Sequence, residues 1–279
     1  MRCAIAALAC ASAWLACAGP AAADVRHATL GDVAASLSLT TRDGSVGDLH
    51  LSLTRAGAVV FSGPITTASG RPGSLERTPP VRRFLDARLR VLDLDGDGTG
   101  EAVIDLAERG AYCCSHTVIV GAGADGTYRP VELDWGSYGS AARFAPLERG
   151  FAIVARDARL EERYTPHVLS FEPVRVWYWS QGAVQDVSRA QPLFVQQDLS
   201  RLLATQRLLL QREDHASIDL RGLFAAIAGD QLLLGQRALA QQQLRADVAA
   251  GRVSVSSGSG PTGAAFPPAL LGLLGRLHY

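Results

Sequence analysis

"VLDLDGDGTGEAVIDL", residues 91–106, decides how this chain is read. Two apolar runs flank a turn that crowds Asp93, Asp95, Asp97 and Glu101 into nine positions. Like charges that close repel, so the stretch points to a cation among them. Counted along the loop, the acidic side chains fall at positions 1, 3, 5 and 9. Thr99 offers its carbonyl at position 7, and Gly98 stands at position 6, where a sharp turn needs positive φ. Calcium takes about six to eight hard oxygens, and alternate residues of a turning loop can all face inward. Position 12 is Ile104 rather than Glu, and "EAVIDL" reads as a strand instead of an exiting helix, so the pattern is not a complete EF-hand. Glu101 then has to supply the closing carboxylate, while Asp105 either hydrogen-bonds a ligand or faces solvent. The plainer reading, an Asp-Gly hairpin turn between two strands, accounts for two of the carboxylates but not four at this spacing. The expected site is Ca2+ on Asp93, Asp95, Asp97, Thr99 and Glu101. It is expected to be structural rather than catalytic, since no nucleophile or histidine lies nearby in sequence.

On both sides of this loop the texture up to about residue 190 is strand-like. "ASLSLTT", "GDLHLSLTRAG", "AVVFSG", "LRVLDL", "HTVIVG", "YRPVELDW", "GFAIVAR" and "VRVWYW" are short β-branched or aromatic runs, several of them alternating. "RDGS", "ADGT", "ERG" and "SQG" between them are turn chemistry and predict antiparallel hairpins. "RDARLEERY", with mixed charges, reads as a solvated turn. From Pro192 onward Leu and Ala recur at helical spacing, with Asp198 and Ser217 as candidate N-caps and Gly235 and Gly251 as stops. "SVSSGSGPTG" reads as a flexible connector before a last short helix near 269–277. The predicted fold is α+β. An antiparallel β-rich domain over 24–190, a sandwich or a partial propeller-like meander, precedes a small α-helical region over 191–279.

Residues 1–23 read as a signal peptide. Arg2 starts it, Ala4 to Ala18 form its apolar stretch, and Ala21 to Ala23 form the cleavage site, with Asp24 next. The rival reading is a lipoprotein signal lipidated at Cys17. No later stretch is long and apolar enough to span a membrane, so the mature chain is expected to be periplasmic or secreted. The formal net charge of zero excludes the electrostatic footprint of a nucleic-acid binder. Every strong base is Arg; the chain has no Lys. Of five cysteines, Cys3, Cys10 and Cys17 lie in the signal, leaving Cys113 and Cys114. A bridge between neighbours, whose Cα atoms sit about 3.8 Å apart, closes a strained ring and is easily reduced. The alternative is two buried small hydrophobes. His116 on the same strand face reads as a satisfied sheet histidine. The Trp135 and Trp177-Tyr178-Trp179 aromatics read as core if buried and as a sugar platform if exposed.

The Asp-x-Asp-x-Asp-Gly block before a strand resembles the calcium loop of FG-GAP/VCBS-type repeats. With "GAYCC" (110–114) and "VRVWYWSQGAVQDVSR", it is similar to a group of secreted bacterial proteins that pair such a loop with a downstream Cys-Cys. Tyr112 departs from that group's pattern. "ARFAPLERGFAIV" cannot build a second loop, so a full seven-bladed propeller is not expected. The resemblance covers about residues 85–190 and implies a metal site and export. The expectation is an exported, calcium-binding, non-enzymatic module of the cell envelope with a protein or glycan ligand. The alternatives are an envelope hydrolase acting on glycans and a redox-responsive sensor using Cys113 and Cys114.

Overall fold

A computed structural model describes residues 22–67, 84–108, 114–137 and 142–279. Cys3, Cys10, Cys17, Cys113 and all of the expected signal except Ala22 and Ala23 lie outside them. The chain is α+β, with antiparallel sheets first and helices last.

Eight strands form the first sheet: β1 (Ala22–Leu30), β2 (Val33–Arg42), β3 (Ser45–Arg55), β4 (Ala58–Pro64), β5 (Phe84–Leu92), β6 (Glu101–Glu108), β7 (Ser115–Ala122) and β8 (Tyr128–Asp134). The turn chemistry sets the connections. Asp43-Gly44 and Ala56-Gly57 both have positive φ at their two central residues, the geometry whose twist matches paired strands. The spatial order is β1-β2-β3-β5-β6-β7-β8, with β4 also on β3. Because β3 meets β5 only at Val46–Phe84, the sheet folds there and β1 and β2 lie against β5. Strand alternation then points Leu37, Leu39, Leu51 and Leu53 at Ile104, Leu106, Val118 and Val120 across one core. The sheet curls without closing into a barrel.

The second sheet has the order β12-β11-β10-β9, from β9 (Arg143–Pro146), β10 (Phe151–Arg156), β11 (Val174–Ser180) and β12 (Ala183–Asp186). It is sandwiched in turn. Ile153, Ala155 and Trp179 pack on Val103 and Ile119 from the outer face of β6 and β7. Ala152, Val154, Val174 and Val176, on the opposite face, meet the helices. Strands β6, β7 and β10 are thus covered on both sides, which explains their near-continuous apolar runs.

The helices are α1 (Pro192–Leu210), α2 (Arg221–Leu233), α3 (Arg237–Ala249) and α4 (Phe266–Arg276). All of α2 is buried, as its all-round apolar sequence requires. Gly235 and Gly251 do follow the ends of α2 and α3 with φ of +74° and +72°. The predicted caps do not hold. Pro192 sets the first turn of α1, so Asp198 lies inside it, and Ser217 ends a separate 3-10 turn.

Residues 254–263 are not a loose connector. Arg221, fully buried beside the fully buried Asp219, donates to the carbonyls of Ser259, Gly260 and Pro261, to the Tyr164 carbonyl and to the Ser256 hydroxyl. Asp219 in turn accepts from the Ser257 N–H at 2.8 Å. Composition alone suggested flexibility; one guanidinium fork supplies the order. The 156–164 stretch is likewise more than a solvated turn. Asp157, Leu160 and Tyr164 are buried, and Asp157 holds Arg159 and the Tyr279 hydroxyl at 2.6 and 2.7 Å.

Removing one partner of a buried ion pair leaves the other uncompensated. Arg221→Ala is therefore expected to lower the unfolding free energy by about 3–5 kcal/mol. Urea denaturation measures it, and an unchanged midpoint would show that Arg221 does not hold the 254–263 strap.

Candidate functional site

The loop 93–100 joins β5 to β6, whose pairing closes on Leu92 and Glu101. Gly98 has φ of +90°, the left-handed turn expected there, and frees its N–H to bond Asp93 Oδ2 at 3.0 Å. Asp95 Oδ1 accepts the Asp97 N–H at 3.3 Å, and Asp97 Oδ1 accepts the Thr99 N–H at 2.6 Å. These short backbone bonds curl the segment so that Asp93, Asp95 and Glu101 each bring a carboxylate oxygen within 4.8 Å of the others. The Asp97 carboxylate is exposed and outside this group, and Thr99 is buried. Asp105 does not join the group; partly exposed, it holds Arg90 and accepts from the Thr117 hydroxyl at 2.9 Å.

The second sheet clamps the loop from outside. Phe151 N–H donates to the Leu94 carbonyl at 2.9 Å, the Tyr178 hydroxyl to that of Asp95 at 2.8 Å, and Arg149 to that of Gly96 at 3.2 Å. The approach is close enough that a Cβ on Gly150 would lie 2.2 Å from the Leu94 oxygen. Leu94 itself is fully buried between the sheets.

Glu101 is the unusual member. It is 4% exposed, lies over Gly121 of β7 where a Cβ would stand 2.6 Å from its Cγ, and receives the Leu94 N–H at 2.8 Å. Burial pushes its carboxyl up to about 8; the Leu94 bond resists, and the charges of Asp95, Asp97 and Asp93 add to the rise. Asp95 is raised for the same two reasons, burial first and then its acidic neighbours. Asp93 Oδ1 is buried with no hydrogen-bond donor. A set of hard carboxylate oxygens, one of them orphaned, fits an oxygen-loving divalent cation such as Ca2+ and lacks the nitrogen or sulfur that zinc or copper prefer.

Sequence reasoning missed three other clusters; two of them join residues from separate strands or helices, and the one around His167 lies in an irregular stretch with no periodicity to bring it together. His116, 1% exposed, sits among Glu108 at 3.2 Å, Glu132 at 3.4 Å and Asp134 at 3.9 Å. Burial alone would depress the imidazole, but the Glu108 and Glu132 hydrogen bonds and the Asp134 charge outweigh it and carry it up to about 9. The histidine is a buried imidazolium, satisfied within the sheet. Cys114 stands close to it and to Glu108. Cys114 is disulfide-bonded, so its sulfur is no thiolate ligand, and this group is not a metal centre. His167 Nδ1 lies 3.5 Å from both Glu161 and Glu162. The third cluster, Asp198 with Asp230, links α1 to α2.

Among the described residues, Trp135 and Trp179 belong to the core and Trp177 is half-buried against them. Trp179 is fully buried and Trp135 is 3% exposed, with Trp177 packed on Trp135 at 5.1 Å between ring centres. A cleft of about 460 Å³ beside them is lined by carboxylates, among them Glu132, Asp134, Asp157 and Asp186. Each already holds a cation: the first two His116, the others Arg159 and Arg175.

Set against family models, curated proteins and solved structures, the chain matches none of them. Among the described residues, no helix is long and apolar enough to cross a membrane.

His116 gives a pH signature. Its folded value, about 9, stands above the ordinary 6.5, so its contribution is complete below pH 6.5 and is lost as pH rises through 9. Urea midpoints across that window should fall more steeply for the wild type than for His116→Gln, a difference of about 2–3 kcal/mol. Parallel curves would mean that the buried ring is neutral.

Proposed function

We propose that this chain is an exported, non-enzymatic binding or structural module of the cell envelope, stabilised by Ca2+ held in the loop between β5 and β6. Asp93, Asp95 and Glu101 would ligate directly, Asp97 and the Thr99 carbonyl would complete the set from the same turn, and water would fill the remaining positions. The observation that carries the reading is the buried Glu101 carboxylate grouped with Asp93 and Asp95 inside 4.8 Å. Three carboxylates without a cation face mutual repulsion and desolvation; a divalent ion offsets both. The loop's spacing, similar to that of FG-GAP/VCBS-type repeats, supports calcium over other hard cations. The N-terminal apolar segment of the sequence supports export.

The role assigned to the ion is mechanical. Leu94, Asp95 and Gly96 give their carbonyls to the second sheet. An ion that fixes the loop therefore fixes how the two sheets meet. No described residue beside the loop offers a nucleophile or an acid–base pair, which favours a structural ion. The envelope ligand would be a protein or a glycan.

An affinity typical of extracellular modules, about 0.1–1 mM, predicts a stabilisation of about 1.4–2.7 kcal/mol at 10 mM calcium. Differential scanning calorimetry of the full chain should then show a melting temperature about 4–8 °C higher in calcium than in chelator. Asp95→Ala and Glu101→Gln should each abolish most of the rise. An equal rise in the wild type and both variants would assign the calcium elsewhere.

A further inference from the structure

A second site lies on the far face of the second sheet, independent of the acidic loop. β9 and β10 pair Arg143 with Val154, and β10 and β11 pair Arg156 with Val174. Period-two alternation therefore sets both arginines on the helix-facing side, flanking Val154. Across from them, Phe194, Asp198 and Arg201 of α1 fall at i, i+4 and i+7 and share one helix face. Between strand and helix is a cleft of about 330 Å³ lined by these residues, with Val154, Val174 and Phe194 as its apolar part.

The charges in this cleft do not balance internally. Arg201 Nε donates to Asp198 Oδ1 at 2.8 Å. Behind it, Asp230 is fully buried and accepts the Val174 N–H at 3.1 Å. Asp198 Oδ2 and Asp230 Oδ2 are both buried acceptors with no donor, so one proton shared between the two carboxyls satisfies both. Burial and the Asp198 charge together raise Asp230 well above the usual range, which keeps that proton in place. The pair then carries one negative charge, and Arg201 cancels it. Among the described residues neither Arg143 nor Arg156 has a carboxylate in salt-bridge range; Arg143 instead stacks over Phe194 at 5.4 Å. Arg201 Nη2 is buried and has no acceptor. Both guanidinium groups thus lack a direct carboxylate partner beside an apolar wall, Arg156 being balanced only at a distance by the buried Glu172.

The geometry points to a binding site for a small oxyanion carried on an apolar body, held between Arg143 and Arg156. Guanidinium forks match the planar, two-oxygen face of a carboxylate or phosphate, and a cavity this size takes a small molecule. Val154, Val174 and Phe194 favour an organic carboxylate over a bare inorganic anion.

Isothermal titration calorimetry of the full chain tests this with two probes, benzoate and inorganic phosphate, each against chloride at matched ionic strength. Benzoate is expected to bind with a millimolar or tighter dissociation constant. Arg156→Gln and Arg143→Gln, at partly or fully exposed side chains, should keep the wild-type melting temperature and weaken it at least tenfold. Binding of phosphate with the same variant dependence would also support the site, with a phosphorylated ligand as its source. No saturable heat from either probe at 20 mM, heat reproduced by chloride, or affinity unchanged in both variants would each overturn it.

Discussion

A carboxylate buried where two sheets meet is the constraint around which this molecule is arranged. Glu101 begins β6, lies over Gly121 and beneath Trp179, and has one backbone N–H for company. Such a group cannot remain an isolated anion, since the cost of desolvating it exceeds what a single hydrogen bond returns. It must hold a proton or share a cation with Asp93 and Asp95. Because the same loop gives three successive carbonyls to the second sheet, the state of one carboxyl is tied to the joint between layers. The packing follows that joint outward, with the curled sheet on one side of it and the second sheet and helices on the other.

How much of this could be read in the residues depends on the range of the forces involved. Strands β2 to β8, β10 and β11 declare themselves by alternation or, for β6, β7 and β10, by short apolar runs, and several of their hairpins by Asp-Gly and Gln-Gly dipeptides, all short-range signals. β9 and β12 are four residues each and too brief to show a period. β1 begins in the alanines assigned to a leader. The acidic loop was legible because its ligands are local: Asp93, Asp95 and Glu101 do converge, and Gly98 turns as its position requires. The misplaced caps are a local matter of Pro192 starting α1 early, but the two misread loops share one cause. The 156–164 and 254–263 stretches look polar and loose, yet each is ordered by a side chain from far along the chain, Tyr279 in one case and Arg221 in the other. Nothing in local composition encodes a hydrogen bond spanning 122 residues, such as that from Tyr279 to Asp157.

The absence of lysine acquires a structural meaning in the C-terminal half. Arg221 satisfies acceptors on four different segments from a fully buried position, and Arg175 joins Asp157, Asp186, the Leu277 carbonyl and the Tyr279 ring. An ammonium has three donors around a point and is strongly hydrated; a guanidinium has five in a plane and sheds water more readily. Sites of this kind accept arginine and would reject lysine. Arg143 and Arg156, facing α1, contrast with Arg221 and Arg175: among the described residues neither has a carboxylate in salt-bridge range.

The Arg221 fork also imposes an order in time. Helix α2 is the innermost helix, and its first residue has its countercharge close by in Asp219, yet the carbonyls that complete its hydrogen bonding are supplied about forty positions later, by the backbone of 259–261. During synthesis on the ribosome, α2 emerges before the chain that completes its burial, carrying a guanidinium that is paired with Asp219 but still has donors without acceptors. Docking of that half must wait until the later segment is available, so the curled sheet is free to consolidate first and the helical layer closes last.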